Sequence, residues 1–207
     1  MPQTTTSAAS TSRIAGLVLA AGRSTRMGTI NKLLVEMNGV PLVTCIIKAL
    51  LTSQAGAIIV VTGHQHEQVE QALSGYDVIC VYNPNYRQGI STSLRRGLNA
   101  VPANSDGVLI CLGDMPRISA AHIDHLIDAF DPDNGRAICV PKASGSRGNP
   151  VLWARRFFPE IRRLTGDVGA RDLITTHAGL VCEVPLADKG TLIDVDTPED
   201  LAALRAE

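Results

Sequence analysis

Short β-branched apolar runs recur along this chain at residues 14–19, 57–62, 78–82, 107–112, 136–140, 180–184 and 192–195, with amphipathic stretches between them. The intervening helical patterns fall at 41–52, 65–73, 92–101, 119–130, 153–164, 168–177 and 198–206. Strands separated by helices cannot close as tight hairpins, so the alternation predicts right-handed βαβ units. The expected fold is α/β, a single Rossmann-like three-layer domain over 13–207 with a mostly parallel sheet and helices on both faces. Residues 1–12, rich in Ser, Thr and Ala, read as a disordered tail. The last helix carries its own start signal, Thr197 as N-cap, Pro198 at the first helical position and Asp200 three residues after the cap. Ligands of such sheets bind beyond the carboxyl ends of the strands, which directs attention to the loops after Leu19, Thr62, Tyr82 and Leu112.

Composition narrows the function classes. Nineteen Lys and Arg against twenty Asp and Glu leave a formal net charge of -1, with no basic surplus for a nucleic-acid backbone. The apolar runs fall far short of the roughly 20 residues that span a bilayer, so no membrane partner is expected. The first twelve residues resemble neither a secretory signal nor a transit peptide. Five cysteines, each among apolar neighbours and none in a C-x-x-C pair, read as buried thiols of a protein in the reducing cytoplasm.

The first loop is the most informative stretch. It reads Leu19-Ala20-Ala21-Gly22-Arg23-Ser24-Thr25-Arg26-Met27-Gly28, followed by Asn31-Lys32. Small residues let backbone N–H groups approach an anion, and Arg23, Arg26 and Lys32 bring cations to a triphosphate. The Walker pattern fails, because five residues separate Gly22 from Gly28 and Thr29-Ile30 follows; the G-x-G-x-x-G dinucleotide pattern is absent too. The string does resemble the L-x-[AG]-G-x-S-x-R-M-G-x(2,3)-K signature of the MobA-like nucleotidyltransferases, the family related to the molybdenum cofactor enzymes. That resemblance implies a nucleotide-diphospho-sugar transferase type of fold. It also implies that Leu19, Ala20, Ala21 and Gly22, with Arg23 beside them, line the base and ribose, that Arg26 reaches the phosphates and that Lys32 serves the α-phosphate. Arg23 has a plain alternative as a solvated side chain.

Gly113-Asp114-Met115-Pro116 at the end of the fourth predicted strand resembles the family's metal-binding turn. Magnesium takes one or two carboxylates together with phosphate oxygens and water, so Asp114 needs a companion acid. Asp194 and Asp196 are the candidates, since alternation on a strand would place both on one face. The resemblance thus implies Mg2+ or Mn2+ as cofactor and Arg26, Lys32 and Asp114 as catalytic residues. Gly63, Gly89, Ser93 and Gly113 join the nucleotide side, the second and third through the segment Asn83-Pro84-Asn85-Tyr86-Arg87-Gln88-Gly89-Ile90-Ser91-Thr92-Ser93-Leu94, which resembles the family's base-wrapping stretch. A capping role is the plain alternative for Ser93. Segments 145–152 and 166–171 resemble the acceptor-facing parts of the molybdopterin-handling branch, with Arg147, Asn149 and Arg171 as acceptor residues; an ion pair with Asp167 is an alternative for Arg171. His122 with His125, and His64 with His66, have zinc-like spacing but no third ligand nearby, and read as solvated or capping residues.

Within the family, the guanylyl branch typically carries Leu-x-Gly-Gly and the cytidylyl branch Ala-Ala-Gly. Leu19-Ala20-Ala21-Gly22 follows the second pattern, and a methyl at Ala21 narrows the base pocket toward a pyrimidine. The resemblance therefore implies transfer of CMP from CTP to molybdopterin, with a recipient molybdoenzyme or its chaperone as partner. A guanylyltransferase, a cytidylyl or uridylyltransferase acting on a sugar or polyol phosphate, and a silent nucleotide-binding module are the competing expectations.

Overall fold

The computed structural model describes residues 13–27, 30–37 and 39–206; the predicted tail 1–12 lies outside them. In chain order the strands are β1 (Ile14–Ala20), β2 (Glu36–Met37), β3 (Val40–Pro41), β4 (Ile58–Thr62), β5 (Ile79–Tyr82), β6 (Gly107–Leu112), β7 (Ile138–Ala143), β8 (Ser146–Arg147), β9 (Val151–Ala154) and β10 (Val181–Pro185). The helices are α1 (Val43–Leu51), α2 (His66–Ala72), α3 (Ile90–Leu98), α4 (Ala120–Ala129), α5 (Phe158–Arg163), α6 (Arg171–Thr176) and α7 (Pro198–Ala206).

The main sheet runs in the order β10-β7-β9-β6-β1-β4-β5, with β8 paired to β7. β1 lies between two parallel neighbours, and Leu19 is level with both Val61 of β4 and Leu112 of β6. Successive residues of β1 feed opposite layers, as the pleat requires. Ile14 and Val18 pack with Ile46, Leu50, Val69 and Ile123 from α1, α2 and α4. Ala15 and Leu17 pack with Leu94, Phe158, Ile161 and Leu173 from α3, α5 and α6. This is the three-layer α/β architecture expected from the sequence. A third, smaller cluster joins Met27, Met37, Leu42, Val195 and Leu201 under the first loop.

α7 begins as its sequence dictates. Thr197 Oγ1 accepts from the Asp200 amide at 3.2 Å, while Asp200 Oδ2 accepts from the amides of Thr197 at 2.8 Å and Asp196 at 3.1 Å. This fixes the chain direction just after Asp194 and Asp196.

Three expectations need correction. β9 is antiparallel to both neighbours, β6 and β7, whereas sequence periodicity assigned Trp153 and Ala154 to a helix starting at 153. All four β9 residues are buried, and a short run buried on every side carries no period that separates strand from helix. Residues 192–195 form no strand: a 3-10 turn covers Gly190–Leu192, and Val195 then makes one bridging bond, its amide donating to Asp114 O at 3.0 Å. The helix expected at 168–177 shortens to α6, because 167–170 is loop. Among the thiols, burial pushes Cys111 and Cys139 up in pKa, but Cys80 is exposed on edge strand β5 and Cys45 and Cys182 are half-buried; all five are free. No helix among the described residues is long and apolar enough to cross a membrane.

Helix α3 approaches the sheet at Gly97, where an added Cβ would lie 2.3 Å from Leu17 Cδ1 and 2.9 Å from Val61 Cγ2. Gly97→Val should therefore destabilise the fold by about 1–3 kcal/mol through overpacking, read as a lowered Tm in thermal unfolding.

Candidate active site

The loop after β1 is shaped by its own polar side chains. Ser24 takes a left-handed conformation, φ +52, and its Oγ accepts from the Lys32 amide at 3.1 Å. Asn31 caps the following 3-10 turn, Lys32–Leu34, by accepting from the Leu33 amide at 3.1 Å. Leu33 is buried in the core. The backbone under Lys32 is thus held at both ends and from below.

The Lys32 ammonium reaches Asp114 Oδ2 at 2.5 Å and Asp196 Oδ1 at 2.7 Å. Burial alone would lower the lysine pKa, but the Asp114 carboxylate, and then Asp196, raise it, so the ammonium stays charged. Asp194 is pushed up from the ordinary carboxylate range, first by burial and then by the negative charges of Asp114 and Asp196. Asp114 Oδ1 is buried without a hydrogen-bond partner. An orphaned carboxylate oxygen beside further hard oxygen donors suits a divalent cation such as Mg2+ or Mn2+. Among the described residues no three His, Cys, Asp or Glu side chains are grouped so as to hold a metal by themselves.

These groups line a cleft of about 820 Å³, together with Leu19, Ala21, Gly22, Arg23, Gly89, Ser93 and Asp194. Three residues proposed from sequence for the nucleotide side stand behind its wall. Ala20 is buried in the core. Gly63 is a packing glycine, since an added Cβ would meet Ala21 Cβ at 2.7 Å and Tyr86 Cβ at 2.9 Å. Gly113 leaves room for Leu33, 3.1 Å from its hypothetical Cβ, and its amide donates to Leu19 O. Thr25–Met27 forms a 3-10 turn at the cleft, but the Arg26 side chain lies outside what the structure describes.

A second cavity of about 470 Å³ shares Leu19, Ile90 and Leu112 with the first and brings together Arg147, Asn149 and Arg171. Arg147 Nε donates to Glu183 Oε1 at 2.8 Å, and Lys142 contacts the other oxygen of the same carboxylate. Those two hydrogen bonds hold the Glu183 carboxyl below its usual range. The Asn149 amide donates to Thr191 O at 3.0 Å, tying the acceptor-side loop to the segment that leads into Asp194.

Several cleft residues were not singled out in the sequence: Tyr86, Arg87, Gln88, Ile90 and Asp167. Four of them flank Gly89, whose φ of +107 and near contact with Gly166 (2.2 Å from an added Cβ) bring segment 164–170 across the start of α3. Asp167 Oδ1 accepts from the Ile90 amide at 3.2 Å, a bond joining residues 77 apart that local patterns do not reveal. Ser93 Oγ accepts from Asn83 Nδ2 at 3.0 Å, which turns its own O–H to other acceptors. His122 is a capping residue: Nδ1 accepts from the Ser119 amide, and Nε2 lies 2.8 Å from Asp188 Oδ2.

The loop after β1, a lysine among acids and an adjoining cavity lined by Arg147 and Arg171 meet at the carboxyl ends of β1 and β6, where α/β proteins of this architecture hold their ligands. Residues 16–180 match the MobA-like NTP transferase domain, and the chain belongs to that family of nucleotidyltransferases. It is 30% identical to the purine catabolism protein PucB of Bacillus subtilis over 204 residues, covering 92% of this chain and 95% of that protein. It is 27% identical to the molybdenum cofactor cytidylyltransferase of Escherichia coli over 185 residues, covering 89% and 91%. The Mycobacterium tuberculosis protein Rv0371c, solved in complex with manganese, superposes with a TM-score of 0.77 at 28% identity, covering 94% of this chain and 98% of that one.

Two glycines of the cleft separate folding from binding. Gly89→Ala should lower Tm, with strain on the order of 1–3 kcal/mol from positive φ alone. Gly22 has nothing within 4 Å of an added Cβ, so Gly22→Ala should leave Tm unchanged while weakening nucleoside triphosphate binding measured by calorimetry.

Proposed function

We propose that this nucleotidyltransferase transfers CMP from CTP to the phosphate of a molybdopterin-type acceptor. The observation that carries the reading is the meeting of two cavities at Leu19, Ile90 and Leu112, one with Lys32 and the acids, the other with Arg147 and Arg171. The first suits a triphosphate. The second suits an anionic acceptor held by guanidinium groups.

In the reaction, an oxygen of the acceptor phosphate forms a bond to the α-phosphorus of CTP, the bond from that phosphorus to the bridging oxygen breaks, and pyrophosphate leaves. A phosphate nucleophile is already anionic, so no side chain has to remove a proton. Lys32, with Arg26 assigned beside it from the sequence signature, places positive charge where negative charge grows on the α-phosphate and the leaving group. A divalent cation held by Asp114 with Asp194 or Asp196 would supply Lewis-acid charge neutralisation at the phosphates. Leu19, Ala21, Gly22, Arg23, Gly89 and Ser93 hold the nucleotide, and Arg147, Asn149 and Arg171 orient the acceptor. The Leu19-Ala20-Ala21-Gly22 motif favours a pyrimidine, and the likeness to the E. coli cytidylyltransferase supports the same choice. The product would pass to a molybdoenzyme or its chaperone, in a cytoplasm that keeps the five thiols reduced.

Pyrophosphate release measured with equal CTP and GTP should show strong preference for CTP; predominant GMP transfer would remove the cytidylyl assignment, and transfer only to sugar or polyol phosphates would remove the acceptor. In the same assay Lys32→Ala should lower turnover by roughly a hundredfold or more, as loss of one preorganised donor does. Asp114→Asn should abolish metal-dependent transfer with Tm preserved; retained metal-dependent turnover in that variant would refute the metal role of Asp114.

A further inference from the structure

The position of the Lys32 ammonium has a cost for any metal that uses the same acids. Its nitrogen touches Asp114 Oδ2 and Asp196 Oδ1 at once, so it fills the space between two carboxylates brought by separate segments. A divalent ion on the unpartnered Asp114 Oδ1 would share that carboxylate with the ammonium on Oδ2, and one that also used Asp196 would meet the ammonium at its Oδ1, so the two cations repel strongly at this distance. The lysine backbone is fixed by Ser24, Asn31 and buried Leu33, so only the side chain can move aside. A half-buried ammonium that leaves its partners needs other oxygens, and within this cleft a triphosphate provides them.

We propose that Lys32 is a built-in competitor for the divalent cation, holding Asp114 and Asp196 in the empty protein and releasing them when a nucleoside triphosphate draws its ammonium onto phosphate oxygen. Metal and nucleotide then bind as a pair, and neither fills the site well alone. Binding free energies are reciprocal, so the factor by which nucleotide tightens metal equals the factor by which metal tightens nucleotide. The proposal rests on the metal role assigned above to Asp114, and adds that the lysine, a catalytic group in that reading, also sets the order in which charges enter the cleft.

Mn2+ binding to the folded full chain, read from the electron paramagnetic resonance signal of free Mn2+, tests this without turnover. With Mn2+ alone, Lys32→Met should bind roughly tenfold more tightly than wild type, a coupling of ordinary size between linked sites. Adding Asp114→Asn to Lys32→Met should erase the gain, which places the ion on these acids. Lys32→Gln, neutral and similar in length, should behave like Lys32→Met and stands in for it if that variant melts early. Equal or weaker Mn2+ binding by the neutral variants overturns the competitor role. A failure of the underlying metal reading looks different: no form of the protein, wild type included, takes up Mn2+ beyond the amount bound by the same CTP in a protein-free control, and both proposals fall.

Discussion

The parallel pairing of β1 with β4 and β6 is the constraint on which the site depends. Parallel neighbours in register end at one edge, so the loops that follow Ala20, Thr62 and Leu112 emerge side by side. The loop after β1 supplies the lysine, and the turn after β6 supplies Asp114. The acid that completes the contact, Asp196, is 164 residues from Lys32 in sequence, and it arrives by a different device.

That device is the start of α7. The reciprocal bonds of Thr197 and Asp200, together with Asp196 N–H on the same carboxylate, fix the direction of the chain as it enters the helix. Val195, fully buried between Asp194 and Asp196, packs with Leu201 and with Met27 of the first loop. One apolar side chain drawn into this small core leaves its two acidic neighbours at the cleft. Burial first, and then the charges of Asp114 and Asp196, push the Asp194 carboxyl up from its usual range, so this group of acids favours a neighbouring positive charge.

Much of this was legible in the sequence because it is local. Each strand and helix of the alternation, the α7 cap and the loop after β1 are written in short continuous stretches, and the resemblance carried by that loop agreed with the family match. The acids and acceptor residues named from short motifs do meet in adjoining cavities. What stayed hidden depends on tertiary contact. β9 has no readable period because all its residues are buried. Gly63 and Gly113 also leave room for Ala21, Tyr86 and Leu33, a packing reason for glycine that a motif does not reveal. Asp167 reaches Ile90 only because Gly89 and Gly166 allow two loops to touch.

The reversed direction of β9 divides the labour of the sheet. On one side of it, residues up to Asp114 build most of the cleft with the lysine; on the other, β7, β8 and α6 frame the cavity with Arg147 and Arg171. Because an antiparallel strand can be reached through a short loop, residues 144–150 join β7 to β9 without a crossover helix. That loop carries Arg147, paired with Glu183 of β10, and Asn149, whose backbone amide donates to Thr191 O. Residues carried by that loop can therefore change without a change in strand order, while the Lys32, Asp114 and Asp196 contacts depend on β1, β6 and the start of α7 together.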